Sequence, residues 1–484
     1  MRLSAHDASF LYTETASGPM HGITITCLDG VPGFAAIFDF YAARIHRVPR
    51  LRQKLAFVPY NLAHPKWVDD PDFDLANHLI KYDLPANTPL SRALETGYEL
   101  AEPLLDRNLP LWRTYVIENV EGKTLLVQLA HHAFVDGATL VAMSTGLTDP
   151  APDTPAPPPE PWQPEPVPAP FALWQEAATE AARNGVVQAQ QAASTLQKMP
   201  ELTARAASLM QRMARPVMQA PWNASLIGPK RQVISLQHML EEFKPIRQAL
   251  GGTINDIVVA VISEAVARYL VASGESVDDQ YLRIMVPVNV RPSGKEGGKD
   301  ASDMSGNHVS AMFPIVAARP LGMAERFAAV RSEMDTIKQN QEVELLQQLQ
   351  ELQPNLPPIA LSQTLSVGTQ WDPTVAAARA PLPIIPHPAG QARPQQLGFN
   401  FTCTNVPGPN WTQYIAGHRV EQVYGALMLG GNLGFGAGIG SYDGKLYFNL
   451  TADPRLIPDL NTMAAKVSET FAELKELAVA AQQG

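Results

Sequence analysis

The chain runs to 484 residues, too many for one hydrophobic core, since single cores stop growing near ~250–300 residues. Hydrophobic residues make up 45% and charged residues 17%, which fills two cores and excludes wholesale disorder. A formal net charge of −10 excludes a broadly basic surface, and with it a nucleic-acid partner, because phosphate backbones are held mainly by Lys and Arg.

The first residues, MRLSAHDASF, have no apolar h-region and predict a cytoplasmic protein without a secretory signal. Residues 35–57 read as helix and then extended chain, and 85–105 as helix. TYVIENV (114–120) and TLLVQLA (124–130) read as two largely apolar strands joined by the turn EGK, a good hairpin signal. Their composition suits strands buried in a mixed α/β layer. A helix is expected at 138–147. The segment TDPAPDTPAPPPEPWQPEPVPAP (148–170) holds eleven prolines and must follow an extended path as a spacer. Residues 171–218 are rich in Ala, Gln, Glu and Leu and predict one or two long helices broken near Pro200.

Further on, 254–274 predicts a strong helix closing on Gly274, and 283–290, 309–316, 397–406 and 445–453 predict strands. Stretch 424–442 is apolar, but seven of its residues are glycine, so it reads as buried strand and turn rather than a membrane span. The expected division is an N-terminal domain over 1–147, spacer and crossover helices over 148–220, and a C-terminal domain over 221–484. The fold class is α/β, with mixed sheets and helices in both halves.

Several chemistries lack their residues. GFGAGIG (434–440) has the wrong spacing for a dinucleotide loop, SGKEGGKDA (293–301) is no phosphate loop, and no GxSxG elbow occurs. Cys27 and Cys403, the two cysteines, have no metal or disulfide spacing, so no metal site is expected. HHAFVDG (131–137) stands out, because it follows a buried strand and opens onto a helix, where active-site loops tend to sit. Adjacent histidines at a strand end point to opposite sides, so one of His131 and His132 faces a site while the other supports it. Asp136 is within reach of His132 if the loop turns back, and Gly137 can adopt backbone angles closed to other residues. A neutral imidazole is the side chain best matched to taking a hydroxyl proton at neutral pH. The competing readings are two polar residues that merely end a strand, or a metal site, for which no third ligand lies nearby.

HHAFVDG resembles the HHxxxDG motif of the wax ester synthase and diacylglycerol acyltransferase family, whose superfamily includes chloramphenicol acetyltransferase and peptide-synthetase condensation domains. LSAHDASFLY (3–12), PMHG (19–22), LDRNLPLW (105–112), GGTINDIVVA (251–260), TNVPGP (404–409) and SYDGKLYFNL (441–450) resemble further family motifs, in the family's order. Thr404, where relatives often have Ser, and the Pro-rich spacer depart from the pattern without touching the chemistry. The resemblance implies two chloramphenicol acetyltransferase-like domains with the active-site tunnel between them. It implies His132 as general base, Asp136 as its orienter, and the Asn255–Asp256 helix start as a wall of the site; Pro110, Leu111 and Trp112 read as packing, with Trp112 a candidate tunnel wall. Asn255 and Asp256 are also ordinary helix-starting residues. Asn405, with Pro407 and Gly408, reads as a turn shaping the tunnel.

The implied reaction moves a long acyl group from acyl-CoA, a co-substrate, to the hydroxyl of a diacylglycerol or a long-chain fatty alcohol, with no bound cofactor. The product is triacylglycerol or wax ester. A ping-pong route through Cys403 is the minor alternative. A condensation-type enzyme acting on carrier-bound acyl groups, and a non-catalytic lipid-binding relative, are the others. Lipid substrates imply peripheral contact with a membrane or lipid droplet, and helix 198–215 offers an apolar stripe with Lys198, Arg205, Arg212 and Arg215 elsewhere on it. The competing reading packs that stripe on the protein. Oligomeric state is left open.

Overall fold

The computed structural model describes residues 1–134, 137–158, 160–290, 309–352 and 398–483. In chain order the helices are α1 (Ala5–Thr13), α2 (Phe34–Arg44), α3 (Leu90–Glu99), α4 (Gly137–Leu147), α5 (Pro170–Met213), α6 (Phe243–Leu250), α7 (Ile254–Ala272), α8 (Met323–Gln339), α9 (Glu342–Leu352) and α10 (Leu460–Gln483). The strands are β1 (His21–Asp29), β2 (Gln53–Ala56), β3 (Lys66–Asp69), β4 (Leu79–Lys81), β5 (Trp112–Val120), β6 (Lys123–His131), β7 (Gln232–Met239), β8 (Tyr281–Asn289), β9 (Val309–Met312), β10 (Ile315–Ala317), β11 (Phe401–Val406), β12 (Tyr414–Ile415), β13 (His418–Ala426), β14 (Phe435–Tyr442) and β15 (Lys445–Ala452).

Two large sheets organise the molecule. The first runs β12-β13-β1-β6-β5-β4, and the second runs β10-β8-β11-β14-β15-β7 with β9 on β8. The predicted hairpin is β5–β6, closed by Glu121 and Gly122 at φ 52° and 77°; positive φ at both central positions is what a tight two-residue hairpin turn requires. One core surrounds β1, β5 and β6, and the other packs α7, α8 and α10 on the second sheet. Within α7 every residue from Ile257 to Ala267 is buried, which is why this helix is apolar all round instead of striped.

The chain division expected at residue 220 is crossed. β13 pairs antiparallel with β1, Ile23 opposite Ala426 through Cys27 opposite Gln422, so a strand from the C-terminal half completes the N-terminal sheet. The helix expected to break near Pro200 is instead one 44-residue element with Pro200 inside it. Proline forfeits one backbone bond, and strong helix formers on both sides carry the helix through.

The membrane role expected of helix 198–215 does not survive the packing. Leu202 and Leu209 are buried against Leu345, with Met213 and Leu346 alongside. Arg212 donates to Glu333 at 2.6 Å and to Glu342 at 2.9 Å, and Arg205 donates to the Gln341 carbonyl at 3.0 Å. The stripe therefore docks α5 on the protein, and Arg212 is a structural ion-pair partner. Among the described residues no single helix is long and apolar enough to cross a membrane.

Candidate active site at the end of β6

β1 and β6 place His21 opposite His131, and the chain then leaves the sheet. The exit is fixed by backbone bonds: His131 N–H donates to the Leu111 carbonyl at 3.0 Å, His132 N–H to Met20 at 2.7 Å, and Phe134 N–H back to His131 at 2.8 Å. The segments PMHG and PLW therefore act as rails for the histidine pair. Phe134 packs edge-on against Trp67 at 5.5 Å.

His131 points inward and is fully buried. Its Nδ1 accepts from Ala133 N–H at 2.9 Å, which leaves the ring proton on Nε2, 3.3 Å from Glu14 Oε1. Glu14, at the end of α1, is itself buried. Oε1 also accepts from Met20 N–H at 3.0 Å, and Oε2 accepts from Arg107 at 2.8 Å. Arg107 in turn donates to the Leu11 carbonyl at 2.7 Å. Burial alone would raise the Glu14 pKa, but His131 and Arg107 outweigh it and hold the carboxyl far below the usual range. The neighbouring His21, also buried, donates from Nε2 to the Ala101 carbonyl at 2.6 Å, and burial pulls its pKa down.

His132 follows the end of β6 and is half-buried, with its ring 4.9 Å from that of Phe10 on α1. Asp136 lies outside the described residues, and Gly137 is the first residue of α4. Glu14 and Arg107 escaped sequence reading, although both adjoin or sit in segments that stood out. Their pairing spans 93 positions, and nothing local announces it.

A cavity of about 220 Å³ lies between the two sheets. Ile23 and Thr24 of β1, Leu140 and Ser144 of α4, Tyr424 of β13 and Ile439 of β14 are among its lining residues. α4 grows directly out of the HHAFVDG loop, so one wall of the cavity continues the histidine segment. Gly408 also lines it, and its N–H donates to Ser441 Oγ at 3.1 Å. Asn405 stands in β11 opposite Ile439, between the lining residues Thr404 and Val406.

Trp112 and the Asn255–Asp256 pair sit elsewhere. Trp112 is buried in the first core, stacked on His78 at 4.6 Å, with its indole donating to the Leu51 carbonyl at 2.8 Å. Asp256 completes a capping box: it accepts from Thr253 N–H at 2.7 Å, and its own N–H donates to Thr253 Oγ1 at 3.2 Å. Asn255 follows the first residue of that helix and is half-buried. Cys403 is buried in the second core, and burial pushes its thiol up to about 12, which leaves it protonated and unsuited to nucleophilic attack.

The family model described as wax ester synthase/diacylglycerol acyltransferase catalytic domain matches residues 3–258, and the WS/DGAT C-terminal domain matches residues 305–475. A putative diacylglycerol O-acyltransferase of Mycobacterium tuberculosis is 29% identical, covering 98% of this chain and 90% of that protein. The probable diacylglycerol O-acyltransferase tgs1 of the same organism is 27% identical over 98% and 95%. Among solved structures, the wax ester synthase/diacylglycerol acyltransferase from Marinobacter aquaeolei VT8 superposes with a TM-score of 0.64 at 20% identity over 99% of both chains. A mutant starter condensation domain of rhizomide synthetase, solved with C8-CoA and Leu-SNAC, gives 0.58 at 13% identity, covering 99% of this chain and 94% of that one. These two likenesses establish the two-domain chloramphenicol acetyltransferase-like fold.

Proposed function

The chain belongs to the wax ester synthase/diacylglycerol acyltransferase family, and from that premise we propose an acyl-CoA-dependent O-acyltransferase in which His132 is the general base. The enzyme transfers an acyl group to a lipid hydroxyl, giving triacylglycerol or wax ester. The observation that carries the assignment is the split of the histidine pair. His131 is immobilised by Ala133 and Glu14, while the His132 ring is half-buried against Phe10.

In this reading His132 removes the acceptor's hydroxyl proton as the oxygen attacks the thioester carbonyl. The tetrahedral intermediate then collapses with cleavage of the C–S bond, and the departing CoA thiolate takes the proton back from the imidazolium. No acyl-enzyme forms, in keeping with the protonated, buried Cys403. General-base catalysis supplies roughly 10²–10⁴-fold, and holding two substrates together supplies much of the rest. The mainly apolar cavity beside α4 suits an acyl or alkyl chain.

The test incubates His132→Ala and wild-type protein with palmitoyl-CoA plus dioleoylglycerol or hexadecanol, and follows thiol release and lipid products. Turnover is expected to fall roughly 10²–10⁴-fold, with the melting temperature nearly unchanged. A variant that retains most of its rate refutes the base assignment. Product analysis of the wild type assigns the acceptor.

Lipid substrates also call for contact with a bilayer or droplet surface. Phe57, Tyr60 and Leu62, on the loop joining β2 to β3, are exposed, as are Phe171 and Trp174 on the first turns of α5, which contacts that loop. Tyr60 and Asn61 hold φ of 59° and 50°, an uncommon backbone for such residues. Aromatic side chains are the ones that favour the membrane–water boundary, so this patch is the proposed lipid-facing surface. Flotation with phosphatidylcholine vesicles should weaken on changing Tyr60, Leu62 and Phe171 together to Ser; equal recovery of the variant in the vesicle fraction rules the patch out.

A further inference from the structure

Buried guanidinium groups in this protein are, as a rule, matched. Arg44 faces Asp149 at 2.6 Å, Arg107 faces Glu14 at 2.8 Å, and Arg326 faces Glu264 at 2.9 Å. Arg231 is held by the carbonyls of Gly228, Lys230 and Ser17. Leaving a desolvated cation without such partners is costly.

Arg50 is an exception. Its guanidinium lies over the Trp67 ring, 4.8 Å from the centroid, and its Nη1 is buried with no hydrogen-bond partner among the described residues. Asp7 acts on it electrostatically without reaching ion-pair distance, and burial pulls its pKa down to about 10. The group stays charged at neutral pH but is poorly compensated.

Its position connects it to the reaction. Arg50 belongs to the single turn Pro49–Arg52, directly before β2, whose partner β3 carries Trp67. Trp67 touches Phe134, two residues past His132. On the other flank, α1 bears both Asp7 and Phe10, the ring against His132. A half-buried cation without a hydrogen-bonded partner for Nη1 among the described residues therefore stands behind the wall that carries the base. Lys66 and Arg2 act on the same Met1 ammonium as Arg50, so the cation lies in a locally positive region. Among the described residues no carboxylate forms an ion pair with it, and an anion brought by the substrate could.

We propose that Arg50 is a binding residue for a phosphate group of the acyl-CoA donor, engaging it through the planar fork of its guanidinium. Guanidinium geometry matches two phosphate oxygens at once, and CoA carries a diphosphate and a ribose phosphate. The inference rests on the acyl-CoA reading above and adds to it where the donor's charged end is held.

The experiment compares two donors on the full-length protein. Palmitoyl-CoA carries the phosphates; the palmitoyl thioester of N-acetylcysteamine offers the same thioester without them. Arg50→Gln should raise KM for palmitoyl-CoA at least tenfold, as expected for one charge-assisted contact, while kcat/KM for the short thioester stays within twofold of wild type. Arg50→Lys should fall between, because it keeps the charge and loses the fork. Equal losses with both donors would instead make Arg50 a prop for Trp67 and the histidine loop, and overturn the proposal. So would an unchanged KM for palmitoyl-CoA.

Lipid headgroups are the other source of phosphate. Repeating the assay on phosphatidylglycerol and on phosphatidylcholine vesicles separates them: a defect confined to the anionic vesicles, and shared by both donors, assigns Arg50 to the headgroup and against CoA. Calorimetric titration of free CoA into wild type and Arg50→Gln supplies a readout without turnover. If the wild type turns over neither donor, the acyltransfer reading fails; weaker CoA binding by Arg50→Gln would still support the phosphate site, and equal binding would still refute it.

Discussion

Glu14 is the carboxylate on which the geometry of the histidine pair depends, and Glu14→Gln isolates that dependence. The side chain accepts from Met20 N–H and Arg107 and faces His131 Nε2, all within 3.3 Å. Glutamine preserves the volume and one acceptor oxygen, but puts a neutral amide beside Arg107 and removes the charge facing His131. Breaking a buried charge pair by removing one partner costs about 3–5 kcal/mol. The retained acceptor and the partly accessible Arg107 argue for the lower end, about 3 kcal/mol. For domains of this size each kcal/mol moves Tm by roughly 2–4 °C, so melting should drop by about 6–12 °C. The kinetic signature should be a fall in kcat with KM for acyl-CoA little changed, because the Met20 and His131 anchors position His132 without touching the donor. Differential scanning calorimetry and steady-state rates measured well below the new Tm check both. A Glu14→Gln protein with wild-type melting and wild-type kcat would refute the claim that this network holds the base.

Acid should destabilise the protein through the same groups. Glu14 has a folded pKa below its unfolded value, so its contribution is present above ~4.3 and is lost as pH falls from there towards the folded value. His21 is likewise depressed, and below ~6.5 the unfolded chain takes up a proton that the folded ring refuses. Tm should therefore decline from about pH 6.5 downwards, and the part below about pH 4.5 should shrink in Glu14→Gln; parallel Tm–pH curves for the two proteins would contradict this. Arg212→Glu puts a carboxylate against Glu333 and Glu342 and should cost about 3–5 kcal/mol, read as early protease cleavage within α5; an unchanged digestion pattern would argue against the docking. At Gly408 an added Cβ would collide with the Ser441 carbonyl oxygen, so Gly408→Ala must displace β14. The expected loss is about 1–3 kcal/mol with altered acyl-chain preference, and an unaltered chain-length profile would place Gly408 outside the substrate path.

What could be read from the sequence follows how local its cause is. The β5–β6 hairpin was legible because the turn residues and flanking apolar runs are adjacent, and α7 because its apolar content and Gly274 stop are continuous. The strand leading into the histidine pair was legible because its largely apolar run continues up to His131. Pairings between distant segments were not. Glu14 with Arg107, β13 with β1, and the α5–α9 docking each join residues far apart in sequence, and charge or apolarity alone does not name a partner. Pro200 misled because a local rule, that proline interrupts helices, yielded to the propensity of the turns around it. Trp112, read first as packing and second as a candidate tunnel wall, packs: a buried His78 and the Leu51 carbonyl claim both its face and its N–H.

The strand exchange between the halves has a consequence for biosynthesis. During translation the N-terminal sheet can assemble β1, β6, β5 and β4 as soon as they are made, yet β1 keeps a bare edge until residue 426 has been synthesised. Such an edge, carrying Ile23, Ile25 and Cys27, is a template for pairing with another chain. The nascent protein therefore depends on being sheltered until its own last third arrives. A gene fragment ending at the spacer would encode an unfinished sheet rather than a domain, and a chimaera between relatives that takes residues 1–220 from one parent and the remainder from the other would have to match partners across the β1–β13 seam.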